Sequence, residues 1–558
     1  MNGSAGPVTR REGLAITLAA MALTVYFTWP LATNPSGMGR LRLGDGQFSV
    51  WNVAWVAHAL TSGINVYDAN IFHPHRNTLA YSEANLGAGI LAVPAYALTG
   101  NPYAAHNSAV LIGLTFSVIG MYLLARRLTG SREASLVAAI VFAFCPFLFA
   151  RTAHIQLMMT APLPFTLLAF HRFADVPSAR RAAILGLSIA VQALFCAYYG
   201  VLVGLMVGLG VLVFAVQRGL WRVPRWWYLS ALAAAVSAGV VLPFFLPYMT
   251  LQAETGFGRT LQDSIRYSAD WRAYFASSAW AHEWMQAYLH HWKEVLFPGF
   301  LALMLGGYGM FVALRGRPPD EAGGLLGRAG AVFYLLVFIL GLWISFGPQA
   351  GLYAVLYYTV PVFSLLRAPA RFGLAVTLAL SVFTAVALSV LLQRFPPSRR
   401  WWAAAILAVL VVVELSTTIP YVPAREVPRA YKMLAAAEPG PVVEFPFYYR
   451  GEDRYRQTQY MLASTWHWKP LVNGYSDFIP PDFFVGGPLL ESFPNVEGFA
   501  WLRERGTRYV VFHLGLYDGA RRQRLLKRIA EHSAYLKPRY TFGTVHLYEI
   551  VAWPTAAP

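Results

Sequence analysis

Phe372-Gly-Leu-Ala-Val-Thr-Leu-Ala-Leu-Ser-Val-Phe-Thr-Ala-Val-Ala-Leu-Ser-Val-Leu-Leu-Gln393 carries no charge anywhere between Arg371 and Arg394. As a helix this stretch would be about 33 Å long, enough to cross a hydrocarbon layer of about 30 Å. Similar runs lie at 13–33, 103–125, 133–150, 157–174, 181–199, 200–217, 228–250, 296–314, 329–346 and 401–420. The sequence therefore predicts about 11 membrane spans. Hydrophobic residues make up 57% of the 558 positions and charged residues 13%, and mean hydropathy is +0.46. Those values exclude a soluble globular or disordered chain.

The formal charge of +17 would suggest nucleic acid if the arginines shared one soluble face. They fall instead in short gaps between the apolar runs: Arg10/Arg11, Arg126/Arg127/Arg132, Arg172/Arg180/Arg181, Arg218/Arg222/Arg225, Arg315/Arg317/Arg328 and Arg394/Arg399/Arg400. With alternating spans every one of these groups lies on one side, the positive-inside pattern, and no nucleic-acid partner is needed. The N-terminus is then expected in the cytoplasm and the C-terminus outside. Cys145 and Cys196 both sit inside apolar runs and suggest neither a disulfide nor a metal site.

Leu86–Leu98 is short for a crossing and holds Pro94. Counting it as a span would invert every later basic loop, so a helix in the outer interface is expected. The same expectation applies to Gln47–Leu60, where Phe48, Trp51 and Trp55 share one helical stripe. The expected domains are a membrane part, 1–420, with outer loops at 34–102 and 251–294, and a soluble part, 421–558. In the latter, Pro441-Val-Val-Glu-Phe-Pro, Tyr509-Val-Val-Phe and Thr544–Val551 read as strands and Asp518–His532 as a basic helix, which predicts a small α/β domain.

The topology sorts the few acids of the membrane part. Glu133, Asp175, Asp320 and Glu321 face the cytoplasm, whereas Asp45, Asp68, Glu83, Glu254, Asp263, Asp270, Glu283 and Glu294 fall on outer loops, with Glu414 near the outer end of the last span. Asp45 stands in Leu43-Gly-Asp-Gly-Gln, where flanking glycines suit either close approach to a ligand or an ordinary turn or N-cap. His73 and His75 in Phe72-His-Pro-His-Arg-Asn, with Glu83 beyond, suit a divalent metal, a phosphate or a plain polar loop. Arg151, His154 and Gln156 lie at an outer span end, and Arg367 and Arg371 open the tenth run. Outer-side arginines oppose the positive-inside bias and act either as phosphate clamps or as snorkelling anchors. Four tryptophans and three histidines in Leu251–Lys293 fit an interfacial helix better than a sugar platform.

Taken together, these residues resemble the GT-C superfamily of membrane glycosyltransferases. The likeness is strongest between Ala104 and Phe170, where Tyr122-Leu-Leu-Ala-Arg-Arg-Leu-Thr-Gly and Ala143-Phe-Cys-Pro-Phe-Leu-Phe-Ala-Arg are similar to stretches of the protein mannosyltransferase and aminoarabinose transferase branch. The resemblance implies an all-α polytopic membrane bundle of GT-C type followed by the α/β domain. It implies a polyprenyl-phosphate-linked sugar donor and a glycan, lipid or protein acceptor on the outer face. Asp45 matches the acidic residue of the first outer loop, acting as base or as ligand of a divalent metal, with Glu83 as a second catalytic candidate. Arg151, Arg367 and Arg371 would hold the donor phosphate, while His73, His75, His154 and Gln156 would touch substrate. Many members carry paired acids where this chain has Asp45-Gly-Gln, and some carry Asp near His154-Ile-Gln156, so no cofactor is required by the pattern. A lipid-linked-intermediate flippase would need ionisable groups at midplane, and the runs are almost free of them. A non-catalytic scaffold would give no reason for reactive side chains to gather at outer span ends.

Overall fold

A computed structural model describes residues 7–41, 44–315, 326–424 and 426–554. Leu43, Arg317, Asp320 and Glu321 lie outside the described residues. Each expected run coincides with helix. Among the described residues six helices are long and apolar enough to cross a membrane: Pro102–Thr129, Arg132–Ala150, Ala197–Gln217, Pro224–Thr255, Arg328–Ser345 and Pro369–Arg394. The remaining runs form Arg10–Phe27, Pro162–Asp175, Ala179–Phe195, Phe300–Arg315 and Pro397–Leu415. The chain divides into two compact units, one made of Met1–Thr33, Ala109–Leu246 and Thr255–Pro420, the other of Asn34–Ser108, Pro247–Glu254 and Tyr421–Pro558.

In the membrane unit the charge-free stretch quoted above becomes its centre. Residues from Leu374 to Val390 are all buried. Phe300–Arg315 comes close to it through small residues: a Cβ on Gly309 would lie 1.8 Å from the Phe383 carbonyl oxygen, and one on Gly306 2.8 Å from Leu380. Glycine at the contact lets two backbones approach where apolar burial supplies no preference over lipid. Hydroxyls within this helix satisfy themselves, Ser381 donating to the Thr377 carbonyl at 2.8 Å. At one end of the bundle Glu12 is buried among cations and a phenol. It accepts from Tyr122 at 2.7 Å and Arg126 at 3.1 Å and pairs with Arg132 at 2.9 Å, joining three helices.

The second unit takes in more than the residues after Tyr421, since Asn34–Ser108 and Pro247–Glu254 belong to it as well. Its core sheet runs in the order β3-β4-β6-β5, with β3 at Val442–Phe445, β4 at Tyr509–His513, β5 at Leu536–Tyr540 and β6 at Val545–Ile550. β3 and β4 are parallel, and the other two pairs are antiparallel. A two-residue ladder between β1 (Met38–Gly39) and β2 (Val422–Pro423) joins the outer loop to the C-terminal segment. The basic stretch forms a helix, Gly519–Glu531, capped by the Asp518 side chain on the Arg521 N–H.

One expectation is corrected here. The helix containing Phe48, Trp51 and Trp55 runs from Asp45 to Ser62, but its tryptophans do not face headgroups. Trp51 is 0% and Trp55 3% exposed, and their indole N–H groups donate to Asn70 at 3.1 Å and to the Val66 carbonyl at 2.7 Å. A helical stripe of aromatics has the same period whether lipid or protein covers it. Here the cover is protein. Leu86–Thr99 is indeed helical despite Pro94. Gly89 lets it approach Val56, while Ile90 and Leu98 stay exposed.

The positive-inside pattern of the basic loops predicts that a tag fused at the N-terminus is reached only from the cytoplasmic side, and one fused at Pro558 only from the other. Termini on the same side would break the odd span count and with it the orientation of every loop.

Candidate functional site

The membrane unit brings the three predicted arginines into one neighbourhood. Tyr198, second residue of the helix Ala197–Gln217, connects two of them. Its hydroxyl accepts the Arg367 backbone N–H at 2.7 Å, and its ring lies 4.2 Å beneath the Arg371 guanidinium. Arg367 also stacks on Tyr267 at 5.3 Å. Arg151 pairs with Glu294, which is itself buried. Burial first, then the nearby Arg371 charge, lowers the Arg151 guanidinium to about 10. Arg151 therefore stays cationic at neutral pH, and the repulsion shows that the two guanidinium groups act on one another. Like charges held together are favourable only when an anion can neutralise them.

Arg259 and Arg367 add to the same field. Bonds from Thr260, and then these two cations, hold the Asp263 carboxyl below its usual value. The backbone around Arg151 leaves regular helix, as the sequence change from Pro146 to Pro162 requires. This stretch is held by Tyr199, which donates to the Leu157 carbonyl at 2.9 Å, and by Gln192, which donates to Met159 at 3.3 Å. His154 and Gln156 occur in it, both half-buried. Tyr198 and Glu294 were not singled out from sequence. The only signal for Tyr198 was a tyrosine pair at the turn between two apolar runs. Glu414 caps the helix Phe300–Arg315 by accepting the Leu301 N–H at 3.2 Å, and it holds His282 at 3.1 Å. That accounts for it as a structural carboxylate.

In the second unit Asp45 opens the helix Asp45–Ser62 with its side chain exposed. Both flanking glycines answer backbone demands. Gly44 has φ 91° and donates its N–H to Thr458 at 3.0 Å. A Cβ on Gly46 would come within 2.0 Å of the Arg40 carbonyl oxygen. A carboxylate in the first turn is itself favoured by the helix dipole, by about 0.3–1 kcal/mol. Two turns on, along the same face, Asn52 donates to the Glu83 carbonyl at 3.2 Å. Glu83 is half-buried and thus tied to the helix that carries Asp45.

The histidines go elsewhere. His75 bonds Asp482 at 2.9 Å, Arg505 reaches the other oxygen of Asp482 at 2.6 Å, and the His73 ring bonds the Arg505 carbonyl at 3.1 Å. Arg505 stacks 3.4 Å from the Trp501 ring. This network fastens the loop to the helices Pro481–Glu491 and Val496–Glu504. Among the described residues no group of three or more His, Cys, Asp or Glu could hold a metal ion. The described residues thus do not assemble a ligand set for a divalent metal.

With this geometry in view, the chain has the fold of the GT-C glycosyltransferases. It is similar to the apo oligosaccharyltransferase of Archaeoglobus fulgidus, with a TM-score of 0.50 and 12% identity, over 98% of this chain and 75% of that one. The same figures hold for that enzyme tethered to an acceptor peptide containing the NVT sequon. For apo ArnT from Cupriavidus metallidurans the values are 0.49 and 15%, over 98% of this chain and 100% of the other. No protein-family model and no curated protein matches the sequence.

The His75 bond, and after it Arg505, brings the Asp482 carboxyl down to about 2. A folded value below the unfolded one, about 3.9, stabilises the protein above pH 4, and the gain is lost as pH falls toward 2. Because Asp482 is 38% exposed, solvent screening holds the effect to about 1 kcal/mol or less. Thermal melts of Asp482→Asn and wild-type protein should therefore differ most above pH 4, with the gap closing as pH falls toward 2. A constant gap across that range would remove the ion pair as its cause.

Proposed function

We propose that this protein is a membrane glycosyltransferase that moves a sugar from a polyprenyl-phosphate-linked donor to an acceptor on the outer face of the membrane. The observation that carries the reading is the grouping of Arg367 and Arg371 at Tyr198, with Arg151, paired to Glu294, close enough to Arg371 for the two cations to act on one another. A cationic group at the end of a membrane bundle fits an anion attached to a lipid. The GT-C fold supports the same activity by analogy.

In this reading the arginines hold the donor phosphate and stabilise the charge that collects on it as the anomeric C–O bond breaks. Asp45 takes the proton of the acceptor hydroxyl while that oxygen forms the new bond to the anomeric carbon. The departing phosphate keeps the electron pair of the broken bond. A single displacement of this kind inverts the anomeric centre. Glu83, bound through its backbone to the same helix face, is the alternative base. His154 and Gln156, in the segment that begins with Arg151, contribute contacts on the donor side. His73 and His75 take a positioning role, because their ring nitrogens are committed to Arg505 and Asp482. The N-terminus is cytoplasmic and the second unit outside.

Asp45→Asn keeps the shape and capping ability of the side chain but removes the basic oxygen. Transfer from a purified lipid donor should fall by about 10² to 10⁴, with melting nearly unchanged, since an exposed position alters stability by only about 0.5 kcal/mol. Equal rates would move the base to Glu83, to be tested in the same assay with Glu83→Gln.

A further inference from the structure

Glu444 is a carboxylate with 0% exposure, set in β3 between Val443 and Phe445. Alternation along the strand puts Val442 and Glu444 on one face, and the parallel neighbour β4 places Tyr509, Val511 and His513 on the same side. Against that face lies Tyr431 of the helix Arg429–Ala436. One oxygen of Glu444 accepts from the Tyr431 hydroxyl at 2.5 Å and from His513 Nε2 at 2.6 Å. The other oxygen is buried and has no hydrogen-bond partner among the described residues. The backbone of Glu444 is fixed on both sides by Asn473, which accepts its N–H at 2.7 Å and donates to its carbonyl at 3.0 Å. Asn473 in turn donates to Gln457 at 2.9 Å.

A buried carboxylate in an apolar strand is expensive, and here it does more than cross-link the fold. It fixes the orientation of the His513 ring through Nε2, leaving Nδ1 as the ring nitrogen not engaged by Glu444. His513 is the last residue of β4, at the carboxyl end of the parallel pair, where open α/β sheets place their ligands. From it a stack of rings leads outward. Tyr460 lies 5.0 Å from His513, and Tyr448 lies 6.2 Å beyond Tyr460. Tyr460 is closed to solvent, whereas Tyr448 and His513, the two ends of the stack, are reached by it. Tyr517 is half-buried beside them, its phenol pushed up by burial and by Tyr448. The group thus offers an imidazole nitrogen, phenol hydroxyls and an aromatic edge. Among the described residues no group of ligating side chains here could hold a metal, and the Arg456 guanidinium lies 5.6 Å over the Tyr448 ring. A ring carrying several hydroxyls on an apolar frame matches this mixture of acceptors, donors and aromatic edge.

We infer that His513, held by Glu444, and Tyr448 form a carbohydrate-binding centre in the second unit. Its assignment to the acceptor sugar rests on the glycosyl-transfer reading, while carbohydrate binding itself does not. The test is retention of full-length protein in detergent micelles on a printed panel of neutral glycans, which needs no lipid donor. Wild-type protein should be retained by a subset of glycans, and His513→Phe should lose at least tenfold of that signal. Tyr448→Leu, at the solvent end of the stack, should lose binding as well, which keeps the test decisive if His513→Phe misfolds. Retention unchanged in both rim variants, or no glycan retained by wild-type protein, overturns the proposal. Loss of transfer with glycan binding intact would count against the donor chemistry alone.

Discussion

A hydrocarbon layer gives a backbone N–H no partner other than the chain's own carbonyls, and most of this molecule is organised by that constraint. It makes helix the form of every long apolar run and removes the drive to hide apolar faces, so the helices associate through close fit and a few polar contacts. Gly306 and Gly309 against the buried helix Leu374–Leu391 show the first device, and Glu12 with Tyr122, Arg126 and Arg132 shows the second. The same constraint gives the arginine cluster its meaning. A guanidinium at the end of such a bundle must find a ring, a carboxylate or an anion, and Arg371 over Tyr198 and Arg151 with Glu294 show the first two.

In the second unit the organising interaction is long-range polar pairing. The second unit is assembled from segments hundreds of residues apart: Asn70 donates to Ser464 at 3.0 Å, Thr458 to Gln47 at 3.0 Å, and the Phe72 N–H to the Asn473 carbonyl at 3.0 Å. These contacts hold the helix that begins at Asp45 against the domain bearing the sheet. They also explain the burial of Trp51, whose indole bonds the same Asn70. A proposed catalytic loop is thereby made part of a folded body.

Run length and charge made the membrane helices legible in the sequence, and β-branched content did the same for β3, β4 and β6. The first outer loop was misjudged because its tryptophan stripe carries no mark of what covers it. β5 went unnoticed, its Leu536-Lys-Pro-Arg-Tyr lacking the apolar alternation of a strand. At the site, the arginines stood out because they oppose the positive-inside bias. Tyr198 and Glu294 did not, since a tyrosine at a span end and an acid in an outer loop are both ordinary. The histidine pair was open to a metal reading because its partner, Asp482, lies 407 positions away from His75. Glu444 was invisible as a functional group, one acid inside an apolar strand.

The central claim is that the cationic cluster receives a lipid phosphate. An experimental structure of the full chain with added undecaprenyl phosphate tests it most directly. The account predicts phosphate density within hydrogen-bond reach of Arg371 and of Arg151 or Arg367, with the prenyl chain leaving along the bundle. Phosphate bound away from all three arginines, while they keep their contacts to Tyr198, Tyr267 and Glu294, would contradict it.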